Sequence, residues 1–359
     1  MKKKLLSITL LSSLSFLALV SCGKENEVVL TNEAGESVTI KASSKKEDVI
    51  TALSVLQAQN YEVDTTAVGI KASLDATQVE KDVESKVVLN KSTVSIDADV
   101  RVGLGDYKED KAYSSTYDML ADMQLYGSIN ASETSTAVLD LSKPKEKTVS
   151  KIKVAAKAYE GTVQGLDMLG TKANYSGVFV VPTKFSMTTN GKEDSISAAA
   201  SQIIGNKNAI YASYEMLPEQ FAQLGISYVK EFKNVNVSTF EIPTEKEELN
   251  AATYKISNVS NGKITFKVTA EAPAFETDAI ATTTLEITVD SKTGLITKAT
   301  ISQKNYKSND ANYSYAGSSL KLSASINYNN DVSFPQLKNG MTMIDGNLIF
   351  GMGKSLALA

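Results

Sequence analysis

The chain has no histidine, no tryptophan, one cysteine, one arginine and only six prolines among its 359 residues. Without imidazole there is no Ser-His-Asp or Cys-His nucleophile, no His-ligated metal and no ordinary titration near neutral pH. Without indole the favoured stacking platform for sugars is missing, although 15 tyrosines replace it in part. One thiol, Cys22, permits no disulfide within the chain. The formal charge is −4 and the only guanidinium is Arg101, so the basic footprint of a nucleic-acid binder is absent. An enzyme made from this inventory has carboxylates, lysine, hydroxyls and phenols to work with. The expectation is a protein without catalytic residues, cofactor or metal.

What is present begins at the front. Lys2, Lys3 and Lys4 precede an uncharged run, Leu5 to Val20, of 16 residues. A bilayer-spanning helix needs about 20, whereas a basic n-region followed by a short apolar stretch and a small residue forms a secretory signal. The ending Leu19-Val20-Ser21-Cys22 resembles the bacterial lipobox, on the strength of Leu19, Ser21 and Cys22. That resemblance implies cleavage between Ser21 and Cys22 and acylation of Cys22. An ordinary signal with a stray cysteine is the alternative. Acyl chains gain about 0.8 kcal/mol per buried CH₂, so two or three of them anchor a protein without a transmembrane helix. The implied location is the outer face of a cell membrane, at the cell surface or in a periplasm. Loss of the three leader lysines takes the formal charge from −4 to −7.

Residues 1–21 are thus read as leader and 22–43 as a tether with a small hairpin, Val28–Leu30 against Val38–Ile40. A sheet domain is expected over 44–338, as one unit or as two in tandem with a boundary near 243–250. The tail, 339–359, has no assignment. With 42% hydrophobic and 22% charged residues, the chain can bury a sizeable core. Ser44-Lys45-Lys46-Glu47 fits a capping box ahead of Val49, Ala52, Leu53 and Leu56, which predicts a helix over 45–59. Pro218 and Glu219 open a second helix, 217–232, with Leu217, Phe221, Leu224, Tyr228 and Phe232 as its buried stripe. Elsewhere the period is two: 68–74, 94–104, 121–129, 148–159, 175–181, 184–188, 254–259, 263–270, 285–289, 295–302 and 320–328. Asn261-Gly262 between alternating runs is a strong hairpin signal. Together these predict a mainly β (α+β) protein: a large curved antiparallel sheet with two or three helices on one face.

That order of elements resembles the LolA-like lipoprotein carriers, through Ser44–Gln59, the Val289–Leu295 turn and the ending Ile326–Pro335. The likeness implies a sheet wrapped around helices and enclosing an apolar cavity for lipid. Two helices of this size cover part of such a sheet and leave apolar face for a ligand or a second sheet. The reading is a lipid-anchored protein that binds a lipid or other apolar ligand. Its rival is a surface interaction protein with a packed core and recognition loops.

Other patterns have chemical and plain readings. Lys292-Thr293-Gly294 matches a motif of penicillin-interacting serine enzymes, and Ser43–Lys46 and Ser142–Lys145 fit Ser-x-x-Lys, but no Ser-Asp-Asn accompanies them. A hairpin turn with Gly294 at positive φ is the simpler reading. Asp97 and Asp99 share a strand face with Arg101, as a cation site or as an Asp–Arg contact on a polar face. The loop holding Tyr306, Tyr313 and Tyr315, rich in Asn, Ser and Gly, has the makeup of a recognition loop.

Overall fold

A computed structural model describes residues 27–346, apart from 32–36, 58–64, 202–203, 205–206, 233–250 and 276. Ser21, Cys22, the segment 243–250 and the tail from 347 lie outside the described residues. The protein is mainly β, with a large, mostly antiparallel sheet and helices, as the alternation implies.

In chain order the first elements are β1 (Val28–Thr31), β2 (Ser37–Ile40), α1 (Lys46–Gln57), β3 (Ala67–Asp82) and β4 (Val88–Gly103). Next come α2 (Thr116–Ala121), β5 (Gln124–Val138), β6 (Lys147–Leu166), β7 (Lys172–Thr189) and β8 (Lys192–Glu193). Then follow α3 (Ser195–Ala200), β9 (Asn208–Ser213), a 3₁₀ turn at Tyr214–Met216 and α4 (Glu219–Phe232). The chain continues with β10 (Thr253–Ser260), β11 (Lys263–Pro273), β12 (Ala279–Asp290) and β13 (Ile296–Ser308). It closes with β14 (Tyr313–Ser314), β15 (Ser319–Tyr328) and β16 (Thr342–Asp345). Two units share these elements. One takes the described parts of 1–64, 75–88 and 231–326; the other takes those of 65–74, 89–230 and 327–359.

In the first unit β10 to β13 form an antiparallel meander that β15 extends. Phe266 lies opposite both Ile256 and Ile287, and directly paired residues point to the same face. On that face sit α1 and the β1–β2 hairpin, so Leu30, Ile40, Val49, Leu53, Leu56, Ile256, Phe266 and Val289 form one core. Thr265 and Thr288 bond at 3.0 Å, as Thr269 and Thr284 do at 3.1 Å, while Lys267 meets Glu286 at 3.0 Å. Asn261 (φ 52°) and Gly262 (φ 71°) supply the positive dihedrals of a tight hairpin turn.

The α1 stripe is as expected, with Val49, Ala52 and Leu56 fully buried. The cap sits one residue later than the Ser44–Glu47 box. Ser44 is occupied by the preceding turn, its hydroxyl accepting from Lys41 N at 3.0 Å. Asp48, not Glu47, reaches back and accepts from Lys45 N at 3.1 Å.

The second unit is a meander of β4, β5, β6 and β7, with β9 added beyond β7. β16, from the unassigned tail, pairs in parallel with β9 and with the end of β6. Met341 and Met343 thereby join Val163, Phe179, Val181 and Ala209 in a second core. β5 begins at Gln124, not Ala121, because 116–121 is helical, capped by Ser115 and held by buried Met119 and Leu120. β7 is continuous where two strands, 175–181 and 184–188, are expected. Pro182 lies at a register shift opposite Ala155/Ala156, so its missing N–H costs no ladder bond.

Phe266→Ala, at the centre of the first core, is expected to cost about 3–5 kcal/mol. A denaturant titration followed by circular dichroism checks this through a lowered midpoint.

Candidate functional site

α4 is helical where expected, but it buries a different face. Ala222, Ile226 and Val229 are 0–3% exposed, and Gly225 is buried with them. Phe221 is 38% exposed and Leu224 is 69% exposed. Of the expected stripe Phe221 and Leu224 are turned outward, while Tyr228 is half-buried with its hydroxyl covered. Small side chains let the helix come close: a Cβ on Gly225 would stand 2.8 Å from Met123 Cε and 3.6 Å from Val102 Cγ1. A bulky stripe cannot approach so near, so the larger residues are left beside the contact.

Beside that contact lies a cleft of about 280 Å³. Its helix wall is Phe221, Leu224, Gly225 and Tyr228; strands β4 to β7 contribute Val100, Val102, Leu125, Gly127, Ala158 and Val178. Register explains the apolar floor. Val100 pairs with Gly127, Gly127 with Ala158, and Val102 with Leu125, so these residues share one face. Gly127 and Ala158 are small, which leaves a hollow under the helix. Val100, expected on a covered face, is 42% exposed. Arg101 is the one charged residue of the lining, and its donors are committed. Nε and Nη2 donate to Asp99 at 2.9 and 2.5 Å, Nη1 donates to the Ser333 carbonyl at 2.6 Å, and Tyr126 lies 4.9 Å away under the guanidinium. Such a cleft can hold an apolar chain or ring; it offers no uncommitted charge to an ionic group.

Near the cleft sits a group the sequence did not single out. Glu160 on β6 pairs directly with Val178 of the cleft floor, and its carboxylate accepts from the Tyr214 hydroxyl. Burial pushes the Glu160 carboxyl up to about 7, against the opposing bonds from Tyr214 and from the Leu125 backbone. The same burial, with the carboxyl beside it, holds the Tyr214 phenol well above its ordinary range. Tyr214 also meets Tyr117 edge-on at 5.3 Å between centroids. It opens the 3₁₀ turn that leads through Leu217 and Pro218 into α4, so one hydrogen bond ties the sheet to the start of the wall helix.

Of the remaining sequence candidates only Arg101 lines the cleft. Asp99 and Arg101 make the Asp–Arg contact, and Asp97 stays exposed. Lys292-Thr293-Gly294 is a turn: Asp290 Oδ1 accepts from Lys292 N and Thr293 N at 2.9 and 3.0 Å, and Gly294 has φ 68°. Ser142 donates its hydroxyl to Asp140 at 2.7 Å within an exposed loop. Ser43–Lys46 leads into α1. Tyr306 and Tyr315 pack against Ala274, Ala279 and Ala281, while Tyr313 is 36% exposed and its strand pairs with β3. The tyrosine loop is therefore pinned at both ends. Among the described residues no group of three or more carboxylates or thiols is placed to hold a metal ion, and no helix is long and apolar enough to cross a membrane.

No protein-family model matches the chain, and no curated protein does. Among solved structures it is similar to a beta-barrel-like protein of a domain of unknown function from Brucella abortus. That likeness covers 74% of this chain and 100% of the other at 9% identity, with a TM-score of 0.18. It is too slight to support an argument about fold or function.

The raised Glu160 gives a pH test. Between the ordinary carboxyl range near 4.5 and about 7, the unfolded chain releases this proton while the folded chain keeps it. Stability therefore falls as pH rises through that window and levels off above it. Glu160→Gln is expected to flatten that decline and to raise stability at pH 8 by about 1–2 kcal/mol, allowing for solvent screening of a partly open site. Thermal melts of both proteins from pH 4.5 to 8 check this.

Proposed function

We propose that this is a lipid-anchored extracytoplasmic lipoprotein whose α4 cleft holds a lipid chain or another apolar ligand, without catalysis. The leader ending in Ser21-Cys22 supports the anchor. The displayed stripe of α4 carries the binding half. Phe221 and Leu224 face solvent beside a hollow that small residues create, where a purely structural helix would turn its largest apolar groups inward. Enclosing an alkyl segment there removes both walls from water at about 25 cal/mol per Å² of apolar surface. The hollow accommodates one chain segment and not a whole diacyl lipid, so the remainder of a larger ligand lies outside. Loop recognition through Tyr306, Tyr313 and Tyr315 is the weaker reading, because two of the three rings are used in packing.

An environment-sensitive apolar dye such as 1-N-phenylnaphthylamine is expected to brighten on binding and to be displaced by a long-chain alcohol. Ala158→Leu, which fills the floor, is expected to weaken the dye about tenfold while leaving the melting temperature within a few degrees. No brightening with the wild-type chain, or full binding by the filled variant, rules out the cleft as the site. Mass measurement of membrane-extracted protein tests the anchor separately, through an acyl adduct on a peptide beginning at Cys22.

A further inference from the structure

β6 runs between two hairpin tips whose chemistry differs. The tip before it, residues 139–146, carries Leu139 at 82% exposure and Leu141 at 58%. The tip after it carries Met168 at 72% and Leu169 at 92%. Other strand turns on the chain, such as Asn190-Gly191, Asn261-Gly262 and Asp290–Gly294, are polar.

The 139–146 tip holds its leucines outward on a fixed frame. Asp140 Oδ1 accepts from Ser142 N at 2.8 Å and from the Ser142 hydroxyl at 2.7 Å. Lys143 N donates to the Asp140 carbonyl at 2.9 Å, and Glu146 N donates to the Lys143 carbonyl at 2.9 Å. The tip's acids are thus spent locally, Asp140 on its own turn and Glu146 on Lys143 at 3.4 Å. Lys145 and Lys147 are exposed beside the leucines. Pairing brings two more cations to this end of the sheet. Lys91 lies opposite Thr136, and Lys192, with the exposed Glu193 after it, follows the Asn190 that bonds Val149. The far tip is more acidic, with Asp167 and Asp345 lining the same hollow as Met168 and Leu169 and with Lys172, opposite Leu166, as its cation.

From this asymmetry we infer that the Leu139–Leu141 tip is a docking element for an anionic lipid surface, its leucines entering the headgroup layer while the neighbouring lysines meet lipid phosphates. Apolar side chains flanked by lysine are the makeup of an interfacial contact. Each lysine near an anionic leaflet adds to the attraction, which falls off as salt screens it. The contact uses neither Cys22 nor any residue that lines the α4 cleft.

The absence of tryptophan makes the test direct. In the full chain carrying Cys22→Ser, which removes any acyl group, Leu139→Trp and Leu169→Trp each place one indole at one end of β6. Vesicles of equimolar phosphatidylglycerol and phosphatidylcholine are expected to shift the Leu139→Trp emission to the blue and shield it from acrylamide. Pure phosphatidylcholine vesicles are expected to leave it unchanged, and Leu169→Trp is expected to stay unshifted on both. Adding Leu141→Asp to Leu139→Trp is expected to weaken vesicle binding roughly tenfold. An unshifted Leu139→Trp, equal shifts at both tips, or an equal shift on neutral vesicles overturns the inference.

Discussion

The contact on which the second unit's cleft depends is the close approach of α4 to β4 and β5 at Gly225. A helix resting on Ala222, Gly225, Ile226 and Val229 sits nearer to the strands than one resting on aromatics, and Met123 closes against it where any Cβ would collide. Everything larger is then displaced sideways. Phe221, Leu224 and Tyr228 end beside the contact, above strand positions occupied by Gly127 and Ala158. The hollow is thus a geometric result of placing small residues under the helix axis and small residues on the floor next to it. Had either set been large, packing would have filled the space or lifted the helix.

This also explains how much the sequence disclosed. Helix 45–59 was legible because a single apolar stripe, Val49, Ala52, Leu53 and Leu56, offered one solution. Helix 217–232 was legible as a helix but ambiguous in orientation, because it carries two stripes of different bulk. Hydrophobicity favours the larger one; close packing chose the smaller. The hairpins at Asn261-Gly262 and Asp290–Gly294 announced themselves through residues that tolerate positive φ. By contrast, β5 extends past its expected segment through Asn130–Val138, rich in Ser, Thr and Ala, and β6 through Glu160–Leu166, which includes two glycines; both stretches give weak alternation. β16 was invisible. Its parallel partners β9 and β6 lie far away in sequence, with no turn to mark the pairing. The candidate site was missed for the same reason as the α4 face, since it consists of what α4 does not bury.

The two units differ in how their sheets use polarity. In the first, one face carries the core with α1 and the β1–β2 hairpin, and threonine pairs and Lys267–Glu286 stitch residues across neighbouring strands. On that core face Phe266, Ile264 and Ile296 are at most 2% exposed, while Ile301 and Leu322 on β13 and β15 are 38% and 41% exposed. In the second, the faces are mixed. Val100 and Ile129 are 42% and 43% exposed, while Asp99 and Arg101 on the same strand are largely covered. A sheet that exposes aliphatics while covering an ion pair has not been arranged for stability alone. The covered pair instead fixes the 333 segment against β4 through the Ser333 carbonyl, and leaves the cleft without an uncommitted charge.

Glu160 fits that arrangement. A carboxyl beside the cleft floor is costly when ionised, and a leucine there would be stable at any pH. What leucine cannot do is hold Tyr214 by its hydroxyl. That bond joins β6 to the 3₁₀ turn leading into α4, so the helix is positioned from two sides: apolar contact at Gly225 and a polar tie ahead of its first turn. The tie fixes where the helix begins, and the small stripe fixes how near it lies. With both constraints in place the wall residues Phe221 and Leu224 keep their separation from the floor without filling it.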